Sequence, residues 1–299
     1  MSSIQNYLVR GLLKASGKNK TVENHSIESV RKSLNRITLI AKLPRGVAFE
    51  KINCDGINCE WAVPVNIKNK GVVLYFHGGA YVSGSLETHR ALVGRIARAS
   101  KTKCLSVEYR LAPENPFPAG LEDAFKTYHW LLKEGYDHKK IVIGGDSAGG
   151  GLTIALLLKL RDENAPLPAA GVCMSPWLDL ECTGDSGWKL KKHDPMLKFE
   201  FGKIYANYYV PNHDFKNPYA SPYYSDPTGL PPIYIQVSGS ELILDDSTRF
   251  EKKAKAAGVD IKVDVWHKMV HVWQVFGPIL PEAMKAIKKL GEYIEQKTK

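Results

Sequence analysis

Cysteine is scarce and unpatterned. Five are present, Cys54, Cys59, Cys104, Cys173 and Cys182. The count is odd and no Cys-x-x-Cys occurs, so neither a disulfide framework nor a zinc site is indicated. Cys104 and Cys173 stand in strand-like runs, as buried thiols do, and a reducing cytoplasmic setting is the simplest reading. No apolar run reaches the ~18 residues that cross a bilayer. The opening Met1-Ser2-Ser3-Ile4-Gln5-Asn6-Tyr7 lacks a basic start followed by an apolar core, which argues against a secretory signal. Internal repeats, low-complexity stretches and nucleic-acid-binding motifs are missing too. The net charge of +10 therefore reads as a solvated basic surface rather than a nucleic-acid contact.

What is present suits one soluble globular chain. At 299 residues, 44% hydrophobic and 24% charged, it is long enough to bury a large core. Residues 1–45 carry Ile4, Leu8 and Leu12, then Val30, Leu34 and Ile37, at helical spacing, and Pro44 ends the region. Strands are predicted at 47–53, 57–63, 71–76, 103–109, 141–143, 169–175, 232–238 and 260–266. Helices fall between the later ones, at about 87–99, 119–134, 245–257 and 279–297. Such alternation implies a mostly parallel eight-stranded sheet flanked by helices. Residues 178–230 break the pattern, with ten aromatics and no convincing strand. A helical cap over an apolar pocket explains them better than a linker does. The predicted units are cap helices over 1–45, core over 46–179, a cap insertion over 180–215 and core again over 216–299.

The run Ile141-Val142-Ile143 leads into Gly145-Asp146-Ser147-Ala148-Gly149 and then a helical pattern. Strand, Gly-x-Ser-x-Gly turn and helix together form a nucleophile elbow, with Ser147 as candidate nucleophile. A serine hydroxyl needs an imidazole to accept its proton, and the imidazole needs a carboxylate to hold its tautomer. In an α/β-hydrolase these follow in the order serine, acid, histidine. The strand 232–238 leads into a segment holding Glu241, Asp245 and Asp246. The last strand leads into His267 and His271. His77-Gly78-Gly79-Ala80 directly follows the strand 71–76, and its glycines leave N–H groups unobstructed. Gly78 and Gly79, with Ala148, are the predicted oxyanion donors. Glu108 and Arg110 are predicted to pair in a salt bridge beneath the site.

The chain resembles the hormone-sensitive lipase family of α/β-hydrolase esterases. The resemblance rests on His77-Gly78-Gly79-Ala80, Glu108 to Glu114, Phe117 to Ala124, Gly145 to Gly150, Ala220-Ser221-Pro222, Leu230-Pro231-Pro232 and His271. These motifs span roughly residues 45–275. Two departures stand out. Ala80 replaces the family's usual fourth-position glycine. The acid motif, usually Asp-Pro-Leu-x-Asp, reads Glu241-Leu242-Ile243-Leu244-Asp245, which puts the acid on Glu241 and a supporting acid on Asp245. His271-Val272-Trp273 matches the family's histidine setting, which favours His271 over His267.

The resemblance implies a serine carboxylesterase acting on short- to medium-chain esters through an acyl-enzyme, without metal or organic cofactor. Tyr81, Trp177, Leu178, Tyr205, Tyr209, Val272 and Trp273 are candidate pocket residues. A small-molecule ester is the expected partner. Neither nucleic acid nor stable membrane insertion is expected, and a homodimer through the last strand, 260–266, is compatible. The competing readings are an amidase or deacetylase on small aryl amides, and a non-catalytic receptor on the same fold. Retention of serine, acid and histidine argues against the receptor.

Overall fold

Eight strands form one sheet: β1 (Val47–Cys54), β2 (Ile57–Pro64), β3 (Val72–Phe76), β4 (Lys103–Val107), β5 (Ile141–Asp146), β6 (Ala170–Met174), β7 (Ile233–Ser238) and β8 (Ile261–Trp266). Their spatial order is β1-β2-β4-β3-β5-β6-β7-β8. β1 and β2 pair antiparallel, as do β2 and β4, and every later pairing is parallel. The computed structural model describes residues 2–17, 26–36, 42–68 and 70–299; Ile37 lies outside these.

The central strands are apolar throughout because both faces are covered. Side chains of a strand alternate between faces, and the two core layers divide accordingly. Val72, Leu74 and Phe76 of β3 enter one layer with Ile141 and Ile143 of β5. Val73, Tyr75 and Val142 enter the other. α4 (Ala119–Lys133) and α5 (Ala148–Asp162) close the first layer. α3 (Leu86–Ser100) and α9 (Pro281–Lys297) close the second. α5 is buried on nearly every side, so it lacks the usual polar face. Cys104 and Cys173 are fully buried in β4 and β6. β8 ends the sheet.

Between β6 and β7 stand α6 (Ser186–Lys189), α7 (Phe199–Tyr209) and a 3-10 turn at Pro222–Tyr224, with no strand among them. α8 (Leu244–Ala256) follows β7. Among the described residues no helix is long and apolar enough to cross a membrane. The predicted Glu108–Arg110 bridge is not formed. Arg110 instead donates through Nε to Asp123, at 2.9 and 3.0 Å, while Glu108 is exposed.

The N-terminal helices α1 (Ile4–Gly17) and α2 (Ile27–Asn35) depart most from the sequence reading. Ile4, Leu8 and Leu12 are 77%, 62% and 72% exposed. The packed face holds Asn6 and Val9 instead. The reason is local. The loop after β8 presents backbone carbonyls to α1, and carbonyls need donors rather than methyl groups. Asn6 Nδ2 donates to Lys268 O at 2.9 Å. Leu8→Gln and Leu12→Gln are accordingly expected to change unfolding free energy by less than about 0.5 kcal/mol. Val9→Ala should cost about 1.5 kcal/mol, from two lost methyl groups. Urea denaturation compares them directly; a larger loss at Leu8 than at Val9 would reverse the assigned face.

Candidate active site

The parallel strands end at one edge, where their C-terminal loops converge, the usual place for chemistry in such a sheet. β5 ends at Asp146 and α5 starts at Ala148, leaving Ser147 alone at the corner. Its backbone, φ 53 and ψ −120, is a conformation that a non-glycine residue holds only at a cost of roughly 1–3 kcal/mol. The flanking glycines make the turn fit. A Cβ at Gly145 would stand 2.3 Å from Gly149 O, and one at Gly149 would stand 2.1 Å from Phe76 O.

Three side chains from three loops form one hydrogen-bonded run. Ser147 Oγ lies 2.9 Å from His271 Nε2, and His271 Nδ1 lies 2.5 Å from Glu241 Oε2. Glu241 is fully buried and His271 nearly so. The other oxygen of Glu241 accepts Ser175 Oγ at 2.8 Å and Ser238 N–H at 2.7 Å. Burial alone would lower the His271 pKa, but the hydrogen bond and charge of Glu241 outweigh it and hold the imidazole above its ordinary value. Asp245 sits elsewhere, accepting Ser186 N–H at 2.8 Å. His267 is exposed.

The loop after β3 departs from the expected donor set. Gly78 N–H donates to Asp146 Oδ1 at 3.0 Å, so this group is committed inside the protein. Asp146 Oδ1 also accepts Tyr75 Oη at 2.6 Å. The predicted donor Gly78 therefore has no free N–H. Among the described residues, the N–H groups of Gly79, Ala80 and Ala148 have no acceptor. Ala148 opens α5, whose first N–H groups find no helical acceptor and carry the positive end of the helix dipole. Only glycine suits position 79, where φ is +127 and a Cβ would meet Ser83 O at 2.1 Å. Ala80 takes φ 55, which is the physical reason a glycine is common there. Burial, reinforced by His89, pushes His77 down to about 4; it is neutral and holds Gly78 O through Nδ1 at 2.9 Å.

The candidate pocket residues divide. The backbone N–H of Trp177 donates to Ser147 O at 3.0 Å, while its ring Nε1–H donates to Asp179 O at 3.1 Å. Tyr81 stacks flat on Tyr209, with ring centroids 3.7 Å apart, and lies 6.1 Å from the Trp177 ring. Val272 follows the histidine and donates its N–H to Ser175 Oγ at 3.3 Å. Tyr205 is half-buried on α7. Leu178 is fully buried, its N–H held by Asp246 at 2.8 Å. Trp273 belongs to the core rather than the pocket. It is fully buried and packs on Trp266 with Met269, Val270 and Leu280, filling the volume under the histidine loop.

Sequence reasoning missed Ser175, Ser238 and Asp194. Asp194 accepts Leu242 N–H at 3.0 Å, beside Glu241. No short pattern marks these residues, because each acts on a partner at least 48 positions away or through a loop turn.

The family model for the α/β-hydrolase fold matches residues 73–275. An acetyl-hydrolase of Streptomyces hygroscopicus is 40% identical over 239 residues, covering 80% of each chain. The crystal structure of an esterase from the bacterial hormone-sensitive lipase family superposes with a TM-score of 0.95 at 41% identity, over all of both chains. The crystal structure of EstE5 soaked with p-nitrophenyl butyrate gives a TM-score of 0.94 at 38% identity over 99% of each chain.

Proposed function

This chain belongs to the hormone-sensitive lipase family of α/β-hydrolases, and from that premise we propose that it is a serine carboxylesterase with Ser147, His271 and Glu241 as its catalytic triad. The observation that carries the reading is the unbroken run from Glu241 through His271 to Ser147, with the serine on a strained elbow at the start of α5.

Ser147 Oγ attacks the ester carbonyl carbon while its proton passes to His271 Nε2. The carbonyl oxygen becomes an oxyanion, and the N–H groups of Gly79, Ala80 and Ala148 are the donors proposed to receive it. The intermediate collapses as His271 Nε2 returns the proton to the leaving alkoxide, which departs as the alcohol. Water then attacks the acyl-enzyme, gives a proton to the same nitrogen, and the acid leaves as Ser147 recovers its own. Glu241 holds Nδ1–H throughout and stabilises the imidazolium. Tyr81, Tyr209 and Trp177 supply an aromatic wall for a short acyl or alcohol group. The five free cysteines support a reducing, cytoplasmic setting.

Hydrolysis of p-nitrophenyl esters from acetate to palmitate tests the reading. The rate should peak at short chains, and an organophosphonate should label Ser147 alone. A label elsewhere would reassign the nucleophile. Faster turnover of a matched p-nitroanilide than of the ester would move the activity to amides.

A further inference from the structure

Four non-glycine residues in the loops after β3 and β8 hold left-handed backbone. Ala80 and Tyr81 (φ 55 and 63) lie in the loop after β3, and Lys268 and Val272 (φ 56 and 45) bracket His271. Each such residue costs roughly 1–3 kcal/mol and persists only where its surroundings hold it. Two arginines, one from each N-terminal helix, reach these loops.

Arg10 of α1 donates through Nη1 to Met269 O at 3.0 Å and to Lys268 O at 3.2 Å. Its Nη2 donates to His193 O at 2.6 Å. The next residue, Asp194, accepts Leu242 N–H beside Glu241. Arg10 thus ties the histidine loop to the segment that buttresses the acid. Arg31 of α2 donates through Nε to Val82 O at 2.7 Å and through Nη2 to Ala112 O at 3.1 Å. Ala112 N–H in turn holds Tyr81 O at 2.9 Å. Arg31 thus braces the oxyanion loop on one side, while Asp146 holds Gly78 on the other. Arg31 also makes a two-point contact with Glu114, at 2.7 and 2.8 Å. Both arginines lie before residue 73, where the family match begins.

We propose that Arg10 and Arg31 are positioning residues that pin the histidine loop and the oxyanion loop respectively, so that the N-terminal helices set the catalytic geometry from outside. Arginine suits the task because its planar fork can donate to carbonyls of two segments at once, which a lysine ammonium on a flexible stem does less well. The targets are backbone carbonyls, so the pins act on loop geometry and leave the substrate-facing side chains alone.

The proposal rests on the esterase reading, and the experiment separates the two. Full-length wild type, Arg10→Ala, Arg31→Ala, Arg10→Lys, Arg31→Lys and Glu114→Gln are compared on p-nitrophenyl butyrate at 25 °C, with circular dichroism to establish folding. Each alanine variant is expected to lose about tenfold or more in kcat with KM within about threefold, since a small misplacement of reacting groups acts on the chemical step. The lysine variants should fall between alanine and wild type. Glu114→Gln should stay near wild type, because it leaves both carbonyl contacts of Arg31 in place. Folded alanine variants with wild-type kcat would overturn the proposal, as would Glu114→Gln losing as much as Arg31→Ala. If an alanine variant fails to fold, its lysine counterpart decides: full wild-type kcat there rules the fork out. An inactive wild type would instead sink the esterase reading.

Discussion

Ser147→Ala is expected to lower kcat for p-nitrophenyl butyrate by roughly a million-fold, the size of loss seen when a triad serine is removed elsewhere. Removing Oγ leaves no atom to attack the carbonyl, and the residual rate would come only from water held near the oxyanion donors. Stability should barely change. Alanine at φ 53 carries the same Cβ strain as serine, and among the described residues Ser147 Oγ hydrogen-bonds to His271. Thermal unfolding near the wild-type temperature, together with loss of phosphonate labelling, would complete the result. Turnover within tenfold of wild type would mean that another residue is the nucleophile.

Glu241→Gln should cost about 10⁴ in kcat, as the corresponding acid-to-amide change does in a serine protease. An amide can offer its NH₂ to Nδ1 and so favour the wrong tautomer, and it cannot stabilise the imidazolium. Asp245→Asn should leave kcat within a few-fold, since Asp245 accepts Ser186 N–H and does not reach His271. A crippled Asp245→Asn beside an active Glu241→Gln would transfer the acid role. The pH profile adds a sign. His271 must be neutral to take the serine proton, so kcat/KM falls as pH drops through the imidazole pKa. Glu241 holds that pKa above its ordinary value of 6.5 against the effect of burial. The acid limb of wild type should therefore lie above 6.5. In Glu241→Gln the main raising partner is gone while burial remains, with only the more distant charges of Asp194 and Asp146 against it, so the limb should move to lower pH.

Much of this was readable from residue order. The Gly145–Gly149 elbow is a local turn, dictated by two close approaches that only glycine permits. Strand and helix positions followed from apolar runs that need cover on both faces. The late strands narrow the acid to Glu241, Asp245 or Asp246 and the histidine to His267 or His271, and the resemblance to the family's motifs selects Glu241 and His271. The errors share one cause. Residue order predicts Gly78 as an oxyanion donor, yet its N–H faces Asp146, 68 positions along the chain. Trp273 is a candidate pocket residue by its place beside the histidine, yet its ring fills the core under the histidine loop. The apolar stripe of α1 has helical spacing, yet it faces outward because the loop it meets presents carbonyls.

Residue order alone carries the elements, the fold and the serine elbow, because local sterics and apolar periodicity act between near neighbours, while the resemblance to the family's motifs selects Glu241 and His271. Three-dimensional packing sets which N–H groups lack an acceptor, which face of α1 is packed and which arginines reach the loops around the triad. Hydrogen-bond partners and burial are set between segments distant in the chain, and no spacing along the sequence encodes them.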